Sequence, residues 1–155
     1  MGQVVYLTGR AGTVHLRDRS RKPPQPRILL VYPDRARREY LAVFLASRDC
    51  HVTACSNGRE ALAYLAAGQF ELVVTSILMP QVDGLELVRA LRRRGGPPAI
   101  TVTDGSGKMD LIYQRSATLC GAVAAHSFTE AAGALLDSVH WILRGRDDVI
   151  KDVVW

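Results

Sequence analysis

The stretch Glu71-Leu-Val-Val-Thr-Ser-Ile-Leu-Met-Pro-Gln-Val-Asp-Gly-Leu-Glu-Leu87 contains a change of period from which the rest of the chain can be read. Residues 72–76 are a short run rich in Val and Thr, too short for a typical helix and suited to a strand. Asp83-Gly84 then opens a segment with Leu87, Val88 and Leu91 at helical spacing. Arg92-Arg-Arg94 and Gly95-Gly96 close it, because cations and glycine both suit a helix C-terminus.

The same strand-then-helix pattern extends in both directions. Further strand-like runs occupy residues 28–32, 51–55, 99–103 and 122–125. Asp34 can cap a helix carrying Tyr40, Leu41, Phe44 and Leu45, and Asn57 one carrying Ala61, Leu62 and Leu65. A fourth helix is expected over about residues 109–119, and a fifth from Thr129 with Leu135, Leu136, Val139, Ile142 and Leu143 on one face. Five such units in sequence imply right-handed crossovers and a parallel sheet covered on both sides, an α/β fold of three layers. In open sheets of this kind functional groups gather beyond the carboxyl ends of the strands, here Tyr32 to Asp34, Ser76, and Thr103 with Asp104.

The flanks read differently. Ser20-Arg-Lys-Pro-Pro-Gln-Pro26 is a linker in extended, proline-rich geometry, which sets residues 1–26 apart as an N-terminal arm. Within the arm, residues 3–7 and 14–16 flank the Gly-containing Thr8-Gly-Arg-Ala-Gly-Thr13, the pattern of a small β-hairpin. The main domain is expected over residues 27–145, followed by a tail, 146–155, in which Val149, Ile150, Val153 and Val154 fall near helical spacing. An apolar stripe of that kind needs a partner, its own domain or a second copy in a homodimer. The formal charge of +5 is uneven: the arm holds five basic side chains against Asp18, so +4 lies there and +1 in the remainder.

The length of 155 residues is that of one ordinary domain, enough to fold without disulfides or metal. Cys50, Cys55 and Cys120 match neither a zinc knuckle nor a redox pair and read as buried apolar side chains in a reducing compartment. No apolar stretch approaches the ~20 residues that span a bilayer, and the N-terminus lacks the apolar core of a signal peptide. A cytoplasmic protein with no membrane partner is expected.

The span of residues 27–143 resembles the receiver domain of bacterial response regulators. Residues 71–87 are similar to that family's third strand, its Met-Pro loop and the Asp-Gly start of its third helix. Asn57-Gly-Arg-Glu-Ala-Leu62, Thr103 and Gly121-Ala122 support the same register. The resemblance implies a flavodoxin-like, doubly wound sheet with strand order 2-1-3-4-5.

It also implies a chemistry that this chain departs from. In typical receivers a phosphohistidine kinase passes its phosphoryl group to an aspartate ending the third strand, with Mg²⁺ held by an acidic pair after the first. Here the aspartate position is Ser76, whose hydroxyl cannot form an acyl phosphate. The acidic-pair positions are Tyr32 and Pro33, with Asp34 adjacent. The family's lysine position aligns with His126 in His126-Ser127-Phe128, or alternatively with Phe128, and its aromatic switch residue with Ala124 or Ala125. Thr103 retains the switch threonine. No metal, no cofactor and no catalytic residue are therefore expected.

Other residues have plain readings beside sharper ones. A hydroxyl filling a vacated pocket is favoured at Ser76 over a site for a serine/threonine kinase. Helix capping by Asp34 and a turn role for Asp104 are favoured over a remnant cation site. Gly105-Ser-Gly-Lys108 lacks the spacing of a phosphate-binding loop, and His126 and His140 have no partners at ligand spacing. Arg92 to Arg94 read as a solvated helix end. The expected function is that of a non-enzymatic, atypical receiver, a protein-interaction module independent of aspartyl phosphate. Its signalling partner would meet the face of the fourth helix, fifth strand and fifth helix. The alternative is a regulator that binds nucleic acid through the basic arm, as a dimer.

Overall fold

A computed structural model describes residues 5–8, 14–17, 25–105, 107–129 and 131–148. The arm contributes β1 (Val5–Thr8) and β2 (Val14–Arg17), an antiparallel pair with Val5 opposite Arg17 and Thr8 opposite Val14. The hairpin expected there is present, its first strand ending at Thr8 rather than Leu7 and its second at Arg17 rather than Leu16; residues 3 and 4 lie outside the described residues.

The main domain is a parallel sheet of β3 (Arg27–Val31), β4 (His51–Cys55), β5 (Leu72–Ser76), β6 (Ala99–Thr103) and β7 (Ala124–Ser127). The strand order is β4-β3-β5-β6-β7, with every neighbouring pair parallel, which is the 2-1-3-4-5 order implied by the resemblance. The crossovers are α1 (Arg35–Ala46), α2 (Gly58–Ala67), α3 (Gly84–Arg94) and α4 (Asp110–Cys120), and α5 (Ala131–Asp148) follows β7.

Every residue of β5 and β6 is buried, because helices cover both faces of the central strands, and this is why they read as continuous runs rather than as alternation. One face sends Ile28, Leu30, Leu72, Val74, Ile100 and Val102 against Leu41 and Leu45 of α1 and Leu135 and Val139 of α5. The other sends Leu29, Val31, Val73 and Ala99 against Ala61 of α2, Leu87, Val88 and Leu91 of α3, and Ala117 of α4. Among the described residues no helix is long and apolar enough to cross a membrane.

Three helices start where their caps were expected. Asp34 accepts from Arg37 N at 2.8 Å, Asn57 from Glu60 N at 2.9 Å, and Asp83 from Glu86 N at 2.8 Å. Glu60 reaches back to accept from Ser56 N at 3.0 Å, a reciprocal arrangement that holds its carboxyl below the usual range. The glycine of Asp83-Gly84 is a packing requirement, since a Cβ there would collide with the Ser76 carbonyl. The start of α3 is therefore seated directly against the end of β5.

Two boundaries differ from expectation. The apolar run 122–125 begins as a helix terminus: Gly121 takes φ +112° and Ala122 N bonds Ala117 O at 3.0 Å, so pairing with β6 starts only when Val123 N reaches Ala99 O at 2.9 Å. The strand accordingly lies two residues later, at Ala124–Ser127. At the other end α5 runs through Gly145 to Asp148, three residues into the span 146–155 expected as the tail. The apolar stripe of that tail lies outside the described residues.

Candidate functional site

The carboxyl ends of β3, β5 and β6 converge on one edge of the sheet. Tyr32, just past β3, is fully buried, and its phenol reaches over the end of the intervening β5 to donate to Asp104 Oδ1 at 2.8 Å, just past β6. The Arg37 guanidinium, in the first turn of α1, donates to the same oxygen at 2.6 Å. Burial first, and the Asp104 carboxylate accepting its proton second, raise the Tyr32 phenol well above the ordinary tyrosine range.

Aromatic rings back this cluster. The Arg37 guanidinium lies 5.1 Å from the centroid of Phe128, whose ring is 6.1 Å from Tyr32 and 5.9 Å from Tyr40. Arg38 donates to the carbonyls of Tyr32 at 2.6 Å and Pro33 at 3.0 Å, which fixes the turn from β3 into α1. Asp34 sits outside the cluster as the cap of α1. The two carboxylates weighed as a remnant cation site thus meet through one residue: Arg37 gives its backbone N–H to Asp34 and its side chain to Asp104.

Ser76 is buried at the end of β5, and among the described residues its hydroxyl has only a long bond, 3.5 Å, to Leu78 O. Thr103 is buried and donates to the His126 carbonyl at 3.4 Å. The His126 ring points toward α5, with Nε2 2.8 Å from Ser138 Oγ. Ser127, in register with Thr103, pairs its hydroxyl with that of Thr129 at 2.7 Å. Asp110, in the first turn of α4, accepts from Gly105 N at 3.3 Å and Gln114 Nε2 at 2.9 Å.

A cleft of about 50 Å³ opens among Ser76, Ile77, Leu78, Thr103, Asp104, Asp110 and Tyr113. It brings Ser76 and Thr103 together and leaves Pro33, Asp34 and His126 outside. Arg37, Asp110 and Tyr113 carry no sequence signal that marks them for the site. Arg37 lies 67 positions from Asp104, and no local pattern marks a pair so separated.

PfeR, a transcriptional activator of Pseudomonas aeruginosa, is 35% identical over 89 residues, 57% of this chain but only 29% of PfeR. The response regulator TrrA of Thermotoga maritima, solved in complex with Mg²⁺-BeF, has a TM-score of 0.68 at 25% identity, covering 76% of this chain and 99% of that one. The receiver domain of Saccharomyces cerevisiae Ssk1, co-crystallised with the histidine phosphotransfer protein Ypd1, shares the fold with a TM-score of 0.67 at 18% identity, covering 79% of this chain and 92% of that one. The response regulator receiver domain family itself matches residues 28–124. With that match over most of the sheet, and the strand order to go with it, the chain belongs to the response regulator receiver domain family of two-component signalling.

Proposed function

We propose that this receiver signals by protein contact without forming an aspartyl phosphate. The observation that carries the reading is Ser76 at the end of β5, in the family's acceptor position, sharing its cleft with an Asp104 already bonded to Tyr32 and Arg37. A serine hydroxyl has no carboxylate from which to build an acyl phosphate. Thr103 keeps the switch-threonine position, and neither His126 nor Phe128, the two candidates for the lysine position, carries an ammonium group.

The donor set does not fit Mg²⁺. That ion needs hard oxygens with one or two carboxylates turned toward it. Tyr32 gives its phenol to Asp104, Pro33 has no side-chain oxygen, and Asp34 is a helix cap; of the two carboxylates on the cleft wall, Asp104 is held by Tyr32 and the Arg37 guanidinium and Asp110 by Gly105 N and Gln114 Nε2. Among the described residues no group of three or more His, Cys, Asp or Glu could hold a metal.

The partner is a signalling protein or a second copy of the chain. The surface made by α4, β7 and α5 supports that role, since it leaves Val123 and Trp141 exposed. The deciding experiment is intact mass after incubation with Mg²⁺ and acetyl phosphate. No adduct is expected, and a phosphoryl adduct lost on Ser76→Ala would overturn the reading. The alternative, nucleic-acid binding through residues 1–26, is supported by their formal +4 charge and would show as binding that falls steeply with salt and disappears on deleting them.

A further inference from the structure

Helices α3 and α4 pack side by side over the same face of the sheet, and together they expose arginine beside leucine. Arg89, Arg92 and Arg93 are exposed on the last two turns of α3. On α4, Leu111, Arg115 and Leu119 recur every four residues and so form one stripe along the helix. Leu111 is 67% exposed and Leu119 82%.

A shallow channel between the helices has Arg89, Arg92 and Arg93 on one wall and Leu119 with Cys120 on the other. A second depression, on the far side of α4, shares Leu119 and takes in Leu111 and Arg115. Leu119 is therefore the crest between two concave strips. Among the described residues none of these four arginines is in an ion pair.

Attraction to the helix C-terminus accounts for Arg92 and Arg93. It does not account for Arg89 or Arg115, nor for two leucines left in water beside them. An apolar crest rimmed by cations has the make-up of a recognition surface, with arginine and large apolar groups as its anchors.

We propose that the α3–α4 surface seats an acidic amphipathic helix presented by another protein. Its apolar stripe would cover Leu119 and Leu111, and its carboxylates would meet Arg89, Arg92, Arg93 and Arg115. The positive rim selects an acidic occupant. The exposed crest favours a protein helix over a nucleic-acid backbone, which would leave Leu119 without a partner. This inference goes beyond the strand-end reading and stands whether or not Ser76 accepts a phosphoryl group.

The probe is a fluorescently labelled designed helical peptide of glutamates with leucines at i, i+3, i+4 and i+7, titrated with the full chain and followed by anisotropy. Saturable binding is expected, weakened about tenfold by Leu119→Ser and about tenfold by Arg89→Glu with Arg93→Glu, the scale of a central interface contact. The pair Arg48→Glu, in the turn after α1, with Arg59→Glu, on α2, makes the same change in net charge away from this surface and should leave affinity unchanged. All these positions are exposed, so urea midpoints should stay at the wild-type value and certify folding.

Amide chemical-shift changes on peptide addition should fall on α3 and α4. No binding, equal binding by a glutamate peptide without leucines, equal loss in the control pair, or displacement of the peptide by an equimolar DNA duplex would each overturn the proposal. The last outcome would make the surface a nucleic-acid site.

Discussion

The Tyr32 hydroxyl stands 2.8 Å from the Asp104 carboxylate although the two residues belong to strands that are not neighbours in the sheet. The bond bridges β3 and β6 above the end of β5, and Arg37 closes it from α1. The two donors share one acceptor oxygen, so they should not act independently. Tyr32→Phe keeps the buried ring and removes the bond, an expected loss of about 1 kcal/mol. Arg37→Met should cost less, about 0.5 kcal/mol, because that pair is more than a third exposed and screened by solvent. Urea melts of the singles and the double variant should give a coupling energy of about 0.5 kcal/mol or more, and strict additivity would show that the cluster is not a unit.

Restoring the acid alone should not restore the chemistry. Ser76→Asp puts a carboxylate at the end of β5, yet Tyr32 and Pro33 still stand in the acidic-pair positions, and Asp104 and Asp110 stay engaged, the first by Tyr32 and Arg37, the second by Gly105 N and Gln114. Incubation of Ser76→Asp with Mg²⁺ and acetyl phosphate is expected to leave its mass unchanged. A Mg²⁺-dependent phosphoryl adduct on this single variant would show that the cluster does not block the site.

The fold was legible in the sequence where its causes are local. The 72–76 run, the caps at Asp34, Asn57 and Asp83, and the glycine closing α3 each carry their signal within a few residues of where they act. The shift of β7 was hidden because the Ala122 N–H is taken by a helix carbonyl, and a strand-like composition does not reveal that. Helix α4 was faint for a related reason: Met109 at its N-cap makes no side-chain capping bond. Ser76, Tyr32 and Thr103 were legible as positions, but what fills the site was not. The Tyr32–Asp104 contact joins residues 72 positions apart, and spacing rules reach only a turn or a strand pair.

The loop between β5 and α3 carries two opposite backbone tests. Gly84→Ala would drive a methyl group into the Ser76 carbonyl and should cost about 2 kcal/mol or more in a urea melt, since backbone on both sides leaves nowhere to move. Gln81, three residues earlier, holds φ +69° with an exposed side chain, a conformation that costs an L-residue about 1–2 kcal/mol. Gln81→Gly relieves that strain while adding freedom to the unfolded chain, so a net gain of about 0.5–1 kcal/mol is expected. A loss of stability on Gln81→Gly would mean that its side chain is held by contacts stronger than the strain.

Alkaline pH should unfold the protein by a route set by its buried acids. Burial first and Glu60 second push the Cys55 thiol up to about 12 from an ordinary 9.0, and burial raises Cys50 in the same direction. The folded state then keeps protons that the unfolded chain releases, so the stabilisation is complete below about pH 9 and is lost as pH rises toward 12. One such group gives a slope of about 1.4 kcal/mol per pH unit, and Tyr32, raised for the same reason, adds its own above the ordinary tyrosine range. Urea midpoints taken at intervals from neutral pH upward should therefore fall progressively. Cys55→Ala should flatten the first part of that fall and Tyr32→Phe the later part, whatever each costs at neutral pH. A midpoint that stays level through the thiol range would show that Cys55 ionises in the folded protein and that the α2 side of the sheet admits water.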